Sequence, residues 1–254
     1  MFIPLLVFSC KAIDIPTDEI VEQPRRFVDF SLITNDSLIV LCNTSPFKNK
    51  SIGVFGGSYS IIPESRVVKD GWKFYLNADV IDYGCGGYGF SYKQGSIQDE
   101  VDNCDVHDIY VLWASTNDFT SNREAGASSD YTIKDNYRES NRVTQCGGIN
   151  YCIKRLKEKN PNCLIVMISS SIFFQSLNGY ELSLTNDTGE SLAYYVKMQS
   201  ECCRINKVPF LNLLESVDLE ESDFQGDKLH YNEKGYQKLV IPTTVLLACP
   251  QRFL

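Results

Sequence analysis

The chain has 254 residues, of which 43% are hydrophobic and 12% aromatic, and its 24 basic and 32 acidic side chains give a formal net charge of −8. A chain of this length buries roughly three quarters of the surface that it exposes when unfolded, so one sizeable core is expected. The negative charge repels phosphate backbones and argues against nucleic acid as a partner. Ten cysteines include no C-x-x-C pair and only two histidines accompany them, which argues against a zinc site.

The N-terminal segment MFIPLLVFSC is uncharged and apolar, and polar residues follow it from Lys11. This pattern is typical of an export signal, and Ser9 before Cys10 is similar to the lipobox of bacterial lipoproteins, in which the cysteine is lipidated. We therefore expect a periplasmic or cell-surface protein whose only membrane attachment is a lipid on Cys10. Two features argue against a lipoprotein signal: a basic n-region is missing, and Phe8 is unusual in a lipobox. The alternative is an apolar arm or a misassigned start codon on a cytoplasmic protein.

From Ser51 onward, short apolar runs alternate with segments of helical period, which indicates a parallel sheet covered by helices on both faces. We predict a three-layer α/β/α sandwich around a mainly parallel, five-stranded sheet. The predicted strands are residues 52–55, 80–83, 109–114, 164–169 and 208–213. The predicted helices are residues 63–75, 96–103, 148–159, 190–205 and 233–247.

Residues 24–48 contain the run SLIVLC, which we interpret as an additional edge strand or hairpin. Two longer polar connections, residues 119–145 and 173–189, interrupt the alternation and are either walls of a ligand crevice or ordinary surface loops. As a division of the chain, residues 1–20 are expected to be a signal or lipoprotein segment with a linker. Residues 21–48 form an N-terminal extension, and residues 49–254 form the main domain.

Ser58 follows the first predicted core strand in the stretch SIGVFGGSYS. Gly56 and Gly57 permit a sharp turn there and allow other groups to approach the serine closely. A serine hydroxyl is a poor nucleophile unless a neighbouring base accepts its proton, so a catalytic role requires a histidine and a group that orients it.

His230 is the better of the two histidine candidates. It lies in GDKLHYNEKGY, after the last predicted strand, and Asp227 precedes it by three residues. A D-x-x-H turn can place the carboxylate on one imidazole nitrogen and leave the other for the serine, although the pattern alone is weakly specific. His107 lies at the amino end of a strand, on the wrong side of the sheet, and is interpreted as a surface or packing residue.

Two further strand ends carry groups suited to an oxyanion. The segment LWASTNDF ends a strand near Asn117, whose side-chain amide is a donor, and YGCGGYGFS ends another in glycines with accessible backbone N–H groups. In order, Ser58, a glycine, Asn117, and Asp227 with His230 resemble the four blocks of the SGNH, or GDSL-type, hydrolases. The resemblance covers about the last 205 residues, and its specificity comes from the order and strand-end placement of all four blocks.

This resemblance implies the flavodoxin-like sandwich of the family and an ester hydrolase that uses no metal or organic cofactor. Ser58 would be the nucleophile, His230 the general base and acid, and Asp227 its orienting group. The oxyanion hole would combine the Ser58 and Gly87 backbone N–H groups with the Asn117 side chain; Gly86 is the alternative glycine. The first block reads G-G-S in place of G-D-S, and the third reads S-T-N-D in place of G-x-N-D.

Other interpretations are weaker. The stretch GCGGYG also matches the dinucleotide fingerprint, but a loop-like segment follows it where a helix should begin, and the G-x-S-x-G elbow is absent. A non-catalytic binding protein on the same fold, or a purely structural domain, would make the four blocks a coincidence. For the substrate we expect short acyl groups on carbohydrate or similar small esters, with lipase or thioesterase activity as the alternative. Tyr88 and Phe119, together with Phe90 and Tyr92, are candidates for a substrate-stacking wall, or else core residues.

Overall fold

The computed structural model describes residues 29–93, 95–174 and 185–254. Its centre is a five-stranded sheet in which all strand pairs are parallel and the strand order is β2-β1-β3-β4-β5. The strands are β1 (Ser51–Gly56), β2 (Asp79–Asp82), β3 (Ile109–Trp113), β4 (Leu164–Ile168) and β5 (Phe210–Leu211). The predicted α/β class and the five strands are therefore confirmed. Cys10 and the expected export signal lie outside the described residues.

Helices cover both faces of the sheet. They are α1 (Asn35–Thr44), α2 (Ser58–Ile61), α3 (Arg66–Leu76), α4 (Ile97–Asn103), α5 (Asn117–Thr120), α6 (Gln145–Lys159), α7 (Leu192–Asn206), α8 (Leu213–Ser216) and α9 (Glu233–Ala248). Helices α1, α3 and α9 pack against one another in one layer, and α4, α6 and α7 form the other. Among the described residues, no helix combines the length and apolarity needed to cross a membrane.

The strands are apolar because helices bury the sheet on both sides, which removes the alternation seen in half-exposed strands. Every residue of β3 is buried, and β1 is buried from Ile52 to its end. Trp72 of α3 packs between the sheet and α9, where its indole N–H donates to the Thr243 hydroxyl at 3.0 Å. The buried indole thus satisfies its only polar group without solvent.

The expectation of an edge strand or hairpin within residues 24–48 is wrong, because SLIVLC belongs to helix α1. The Thr34 side chain accepts the backbone N–H of Ser37 at 3.2 Å and caps the first turn. Leu38 and Cys42 are four residues apart and both fully buried, a spacing that places them on one helix face. The aliphatic run favoured a strand, but the capping residue and the burial at i and i+4 decide for a helix. The described part of the extension therefore packs into the domain, against α3 and α9.

His107 is a packing residue, which is one of the two roles expected for it. It is 4% exposed, its Nε2 lies 2.9 Å from the Tyr83 hydroxyl, and its ring packs edge-on against Tyr110. A Cβ on Gly53 would lie 2.7 Å from the His107 ring, so the glycine in β1 provides the space for the imidazole.

The carboxyl ends of the strands lie at one edge of the sheet. In the register, Gly56 at the end of β1 is opposite Trp113 at the end of β3, and Trp113 is opposite Ile168 at the end of β4. The segments that follow β1, β2 and β3 therefore leave the sheet side by side. In doubly wound sheets this edge is where ligands bind.

Candidate active site

Ser58 lies directly after β1 and begins the short helix α2. Gly57 forms the cap with extended backbone angles (φ −83°, ψ −151°), and its carbonyl accepts the Ser60 N–H at 3.1 Å. The chain thus turns from strand to helix within two residues. The Ser58 side chain is half-buried at the carboxyl edge of the sheet.

The segment before α9 brings His230 to Ser58. The imidazole Nε2 lies 2.7 Å from the Ser58 hydroxyl, and Nδ1 lies 2.6 Å from the Asp227 carboxylate. Ser58 and His230 are 172 positions apart in the sequence. Together with Asp227 they form one continuous line of hydrogen bonds. In this geometry a carboxylate that accepts from Nδ1 leaves Nε2 as the acceptor for the serine proton.

Contacts of Tyr59 hold the segment that carries the His230 imidazole in place. The Tyr59 hydroxyl donates to the Leu229 carbonyl at 2.9 Å, and the Tyr236 hydroxyl in α9 donates to the Tyr59 carbonyl at 2.7 Å. The Tyr59 ring also packs at 5.7 Å against the His230 ring. Because Tyr59 follows Ser58 directly, the same residue holds both the serine turn and the histidine segment.

The Asp227 carboxylate is held in its charged form. Burial acts to raise the pKa of this carboxyl, but hydrogen bonds from the His230 ring and from the backbone N–H groups of Leu229 and His230 outweigh it and lower the pKa below the ordinary value. An ionised carboxylate is the form that accepts from Nδ1 and stabilises a protonated imidazole.

Asn117 lies at the start of α5, just past the end of β3. Its side-chain Nδ2 donates to the backbone carbonyl of Tyr88 at 2.8 Å. A primary amide has two N–H donors, so this bond fixes the plane of the amide and directs its second hydrogen elsewhere.

Gly87 belongs to the loop that follows β2. Its φ of +78° lies in the left-handed region that favours glycine, and it is exposed. The loop is tied to β1, because the Cys85 N–H donates to the Gly56 carbonyl at 3.0 Å. The Asp82 carboxylate also accepts the Gly84 N–H at 2.9 Å. The loop bearing Gly87 thus starts beside the strand end that bears Ser58.

The two predicted stacking residues differ in exposure. Tyr88 is half-buried, whereas Phe119 is 7% exposed and packs edge-on against Tyr195 at 5.5 Å between ring centres. Phe90 is likewise buried, and Tyr92 is exposed. The burial of Phe119 supports the alternative that it is a core residue. No group of three or more histidine, cysteine, aspartate or glutamate side chains suited to a metal ion occurs in the described parts of the chain.

A family model described as GDSL-like lipase/acylhydrolase matches residues 56–238, which contain all four blocks. The chain belongs to this family. It is therefore a hydrolase of ester bonds, as the sequence resemblance implied. No curated protein matches the chain in sequence.

Solved structures match this chain in fold at low sequence identity. A protein from Lactobacillus plantarum has a TM-score of 0.66 at 17% identity, covering 82% of this chain and 99% of its own. A possible lipase from Chitinophaga pinensis has a TM-score of 0.60 at 15% identity, covering 80% and 98%. An aryl esterase from M. smegmatis has a TM-score of 0.57 at 14% identity, covering 81% and 100%. At these identities the similarity shows the shared fold.

Asp118 is a structural residue of this GDSL-like site that sequence reasoning missed. Its carboxylate is 4% exposed and accepts the backbone N–H groups of Phe90 at 2.8 Å and Ser91 at 3.1 Å. Burial raises the pKa of this carboxyl, and the N–H donors oppose the shift. The partners are 27 and 28 residues away in sequence, so no local pattern indicated them. Asp118 therefore attaches the loop after β2 to the segment that carries Asn117.

Proposed function

We propose that this GDSL-like hydrolase is a serine esterase that uses Ser58, His230 and Asp227 for acyl transfer. The observation that carries the proposal is the pair of short hydrogen bonds from the Ser58 hydroxyl to His230 Nε2 and from His230 Nδ1 to Asp227. In the proposed reaction the Ser58 oxygen attacks the ester carbonyl while His230 takes the hydroxyl proton. Asp227 keeps the imidazole in the required tautomer and stabilises its protonated form.

In the tetrahedral intermediate, the negative oxygen would be bound by the backbone N–H groups of Ser58 and Gly87 and by the Asn117 amide. His230 then donates its proton to the leaving alcohol, and an acyl-enzyme forms on Ser58. Water repeats the sequence on the acyl-enzyme: His230 accepts the proton of the water and returns it to the Ser58 oxygen as the acid product leaves. The free end of the Asn117 amide and the accessible backbone at Gly87 support these assignments.

For the substrate we propose a short acyl group, such as acetyl, on a carbohydrate or a similarly polar alcohol. The half-buried ring of Tyr88 supports this, because it is attached to the loop of the oxyanion site and offers a surface on which a sugar can stack. The aryl esterase activity named for the M. smegmatis relative supports p-nitrophenyl esters as first substrates. Rates for p-nitrophenyl esters of increasing acyl length, and then for acetylated oligosaccharides, test the substrate class. A rate that rises with acyl length would contradict it.

The mechanism is tested by Ser58→Ala and His230→Ala with p-nitrophenyl acetate. Each change should abolish hydrolysis above the uncatalysed rate while leaving the melting temperature close to that of the wild type. Asn117→Ala should lower kcat by ~10²- to 10³-fold, because one oxyanion donor is lost. Full activity of Ser58→Ala would refute the proposed nucleophile.

A further inference from the structure

Gly57 is surrounded by polar atoms on the side where a Cβ would be. An added Cβ would lie 2.6 Å from Asn117 Nδ2, 2.8 Å from the Tyr88 carbonyl oxygen and 2.9 Å from the Ser115 hydroxyl oxygen. The φ of −83° at Gly57 is ordinary for any residue, so space and not backbone conformation requires the glycine. Two of the three atoms belong to the segment after β3.

Ser115 links these groups. Its hydroxyl donates to the Tyr88 carbonyl at 3.1 Å and accepts the Asn117 backbone N–H at 3.3 Å, while Asn117 Nδ2 donates to the same carbonyl at 2.8 Å. The Ser115 carbonyl is in turn bound by the Ser170 hydroxyl at 2.6 Å, and the Gln199 amide donates to that hydroxyl at 2.9 Å. Ser115 is 4% exposed, so water does not compete for these bonds.

The two departures from the family motif thus meet in space. The motif has a side chain at the position of Gly57 and none at the position of Ser115, and this chain has the reverse. We propose that Ser115 is a positioning residue that orients the Asn117 amide toward the substrate oxyanion. Its hydroxyl occupies space that a side chain at residue 57 would need. This inference rests on the proposed function, because it concerns the oxyanion site of that reaction.

Loss of the Ser115 hydroxyl should affect catalysis in a way that loss of a purely structural hydroxyl would not. Without the Ser115 hydroxyl, Asn117 keeps its bond to Tyr88 but loses the bond to its backbone N–H, and the Tyr88 carbonyl loses one of two donors. The amide then loses orientation where negative charge develops in the transition state, which lowers kcat and leaves KM unchanged.

Ser115→Ala tests the positioning role, with Ser169→Ala as the matched control. Ser169 is also buried. Its hydroxyl donates to the Ser170 carbonyl at 2.8 Å and accepts the Leu213 N–H at 2.8 Å, and it bonds to none of Ser115, Tyr88 and Asn117. We expect Ser115→Ala to lower kcat for p-nitrophenyl acetate by about 3- to 10-fold at constant KM, the effect of one lost hydrogen bond. Both variants should lower the melting temperature by a similar amount, because each loses one buried hydroxyl with two hydrogen bonds, but Ser169→Ala should leave kcat unchanged. An unchanged kcat in Ser115→Ala, or an equal loss in both variants, would overturn the proposal.

A double-mutant cycle tests whether side chains at residues 57 and 115 compete for the same space. Gly57→Ala should lower kcat more in the wild-type background than in the Ser115→Gly background, because the second change removes one of the three atoms that the new Cβ meets. Additive effects would overturn this part of the inference.

Failure of this inference is distinguishable from failure of the proposed function. If Ser58→Ala is inactive but Ser115→Ala is fully active, only the positioning role is lost. If Ser58→Ala retains activity, the proposed reaction itself is wrong.

Discussion

The close approach of Gly89 to Asp118 yields a quantitative prediction for Gly89→Ala. A Cβ on residue 89 would lie 2.3 Å from Asp118 Oδ1, 2.7 Å from Cγ and 2.9 Å from Oδ2, although the backbone does not have a positive φ there. Movement of the carboxylate away from this Cβ would cost free energy, because its oxygens accept the Phe90 and Ser91 N–H groups at 2.8 and 3.1 Å.

The magnitude follows from the two ways of relieving the overlap. If Asp118 stays in place, overpacking costs about 1–3 kcal/mol. If it withdraws, the buried N–H groups of Phe90 and Ser91 lose their acceptor, which costs about 1–3 kcal/mol for each group left without a partner. We therefore expect Gly89→Ala to lower the free energy of unfolding by about 3 kcal/mol. For a domain of this size that corresponds to a fall in melting temperature of about 6–12 °C.

Urea denaturation measures this loss as a lower midpoint at an unchanged slope. Gly226→Ala is the matched control, because nothing lies within 4 Å of its added Cβ and its φ is not positive. We expect that variant to stay within about 0.5 kcal/mol of the wild type. If both variants unfold at the same urea concentration, the argument from the Gly89 contact is refuted.

Three other predictions concern stability. Leu38→Ala should lower the free energy of unfolding by about 2–5 kcal/mol, because Leu38 is 0% exposed in α1. Val40→Ala, at a site that is 64% exposed, should have almost no effect in the same denaturation experiment, and equal effects would contradict the packing of α1. Lys69→Met should lower the free energy of unfolding by about 1–3 kcal/mol, because Asp82 loses its ion-pair partner at 2.5 Å; an unchanged melting temperature would refute this. The lowered pKa of Asp227 means that its charged form stabilises the fold above the usual carboxyl pKa of about 4, and that this contribution is lost as the pH falls through the folded-state pKa. The melting-temperature advantage of the wild type over Asp227→Asn should therefore shrink as the pH is lowered below about 4, and an advantage that grows there would contradict the assignment.

The sequence predicted the sheet because parallel strands buried on both faces are continuous apolar runs, as in Val111 and its neighbours in β3. It also placed Ser58 and Asn117 at strand ends, and the parallel topology brings strand ends to one edge. The contact between Ser58 and His230 required the fold, since 172 positions separate the two residues. Helix α1 was missed because the β-branched pair Ile39 and Val40 favours a strand, whereas the Thr34 cap that marks the helix start lies outside the apolar run.

The finer structure of the site was less predictable. The loop after β2 contacts Asp118, Ser115 and Gly57 through its backbone atoms, although it lies about 30 residues away in the sequence. Residue types do not indicate which backbone carbonyl or N–H group a distant side chain contacts. The motif departures at residues 57 and 115 were visible in the sequence. Their contact was not, because it depends on how the segments after β1 and β3 approach each other.

Covalent labelling by a fluorophosphonate shows directly whether Ser58 is an activated nucleophile, since an activated serine attacks the phosphorus. We expect one labelled residue, Ser58, identified by mass spectrometry of the digested protein, and loss of labelling in His230→Ala although its serine is intact. Labelling at another serine, no labelling of the folded wild type, or undiminished labelling of His230→Ala would contradict it.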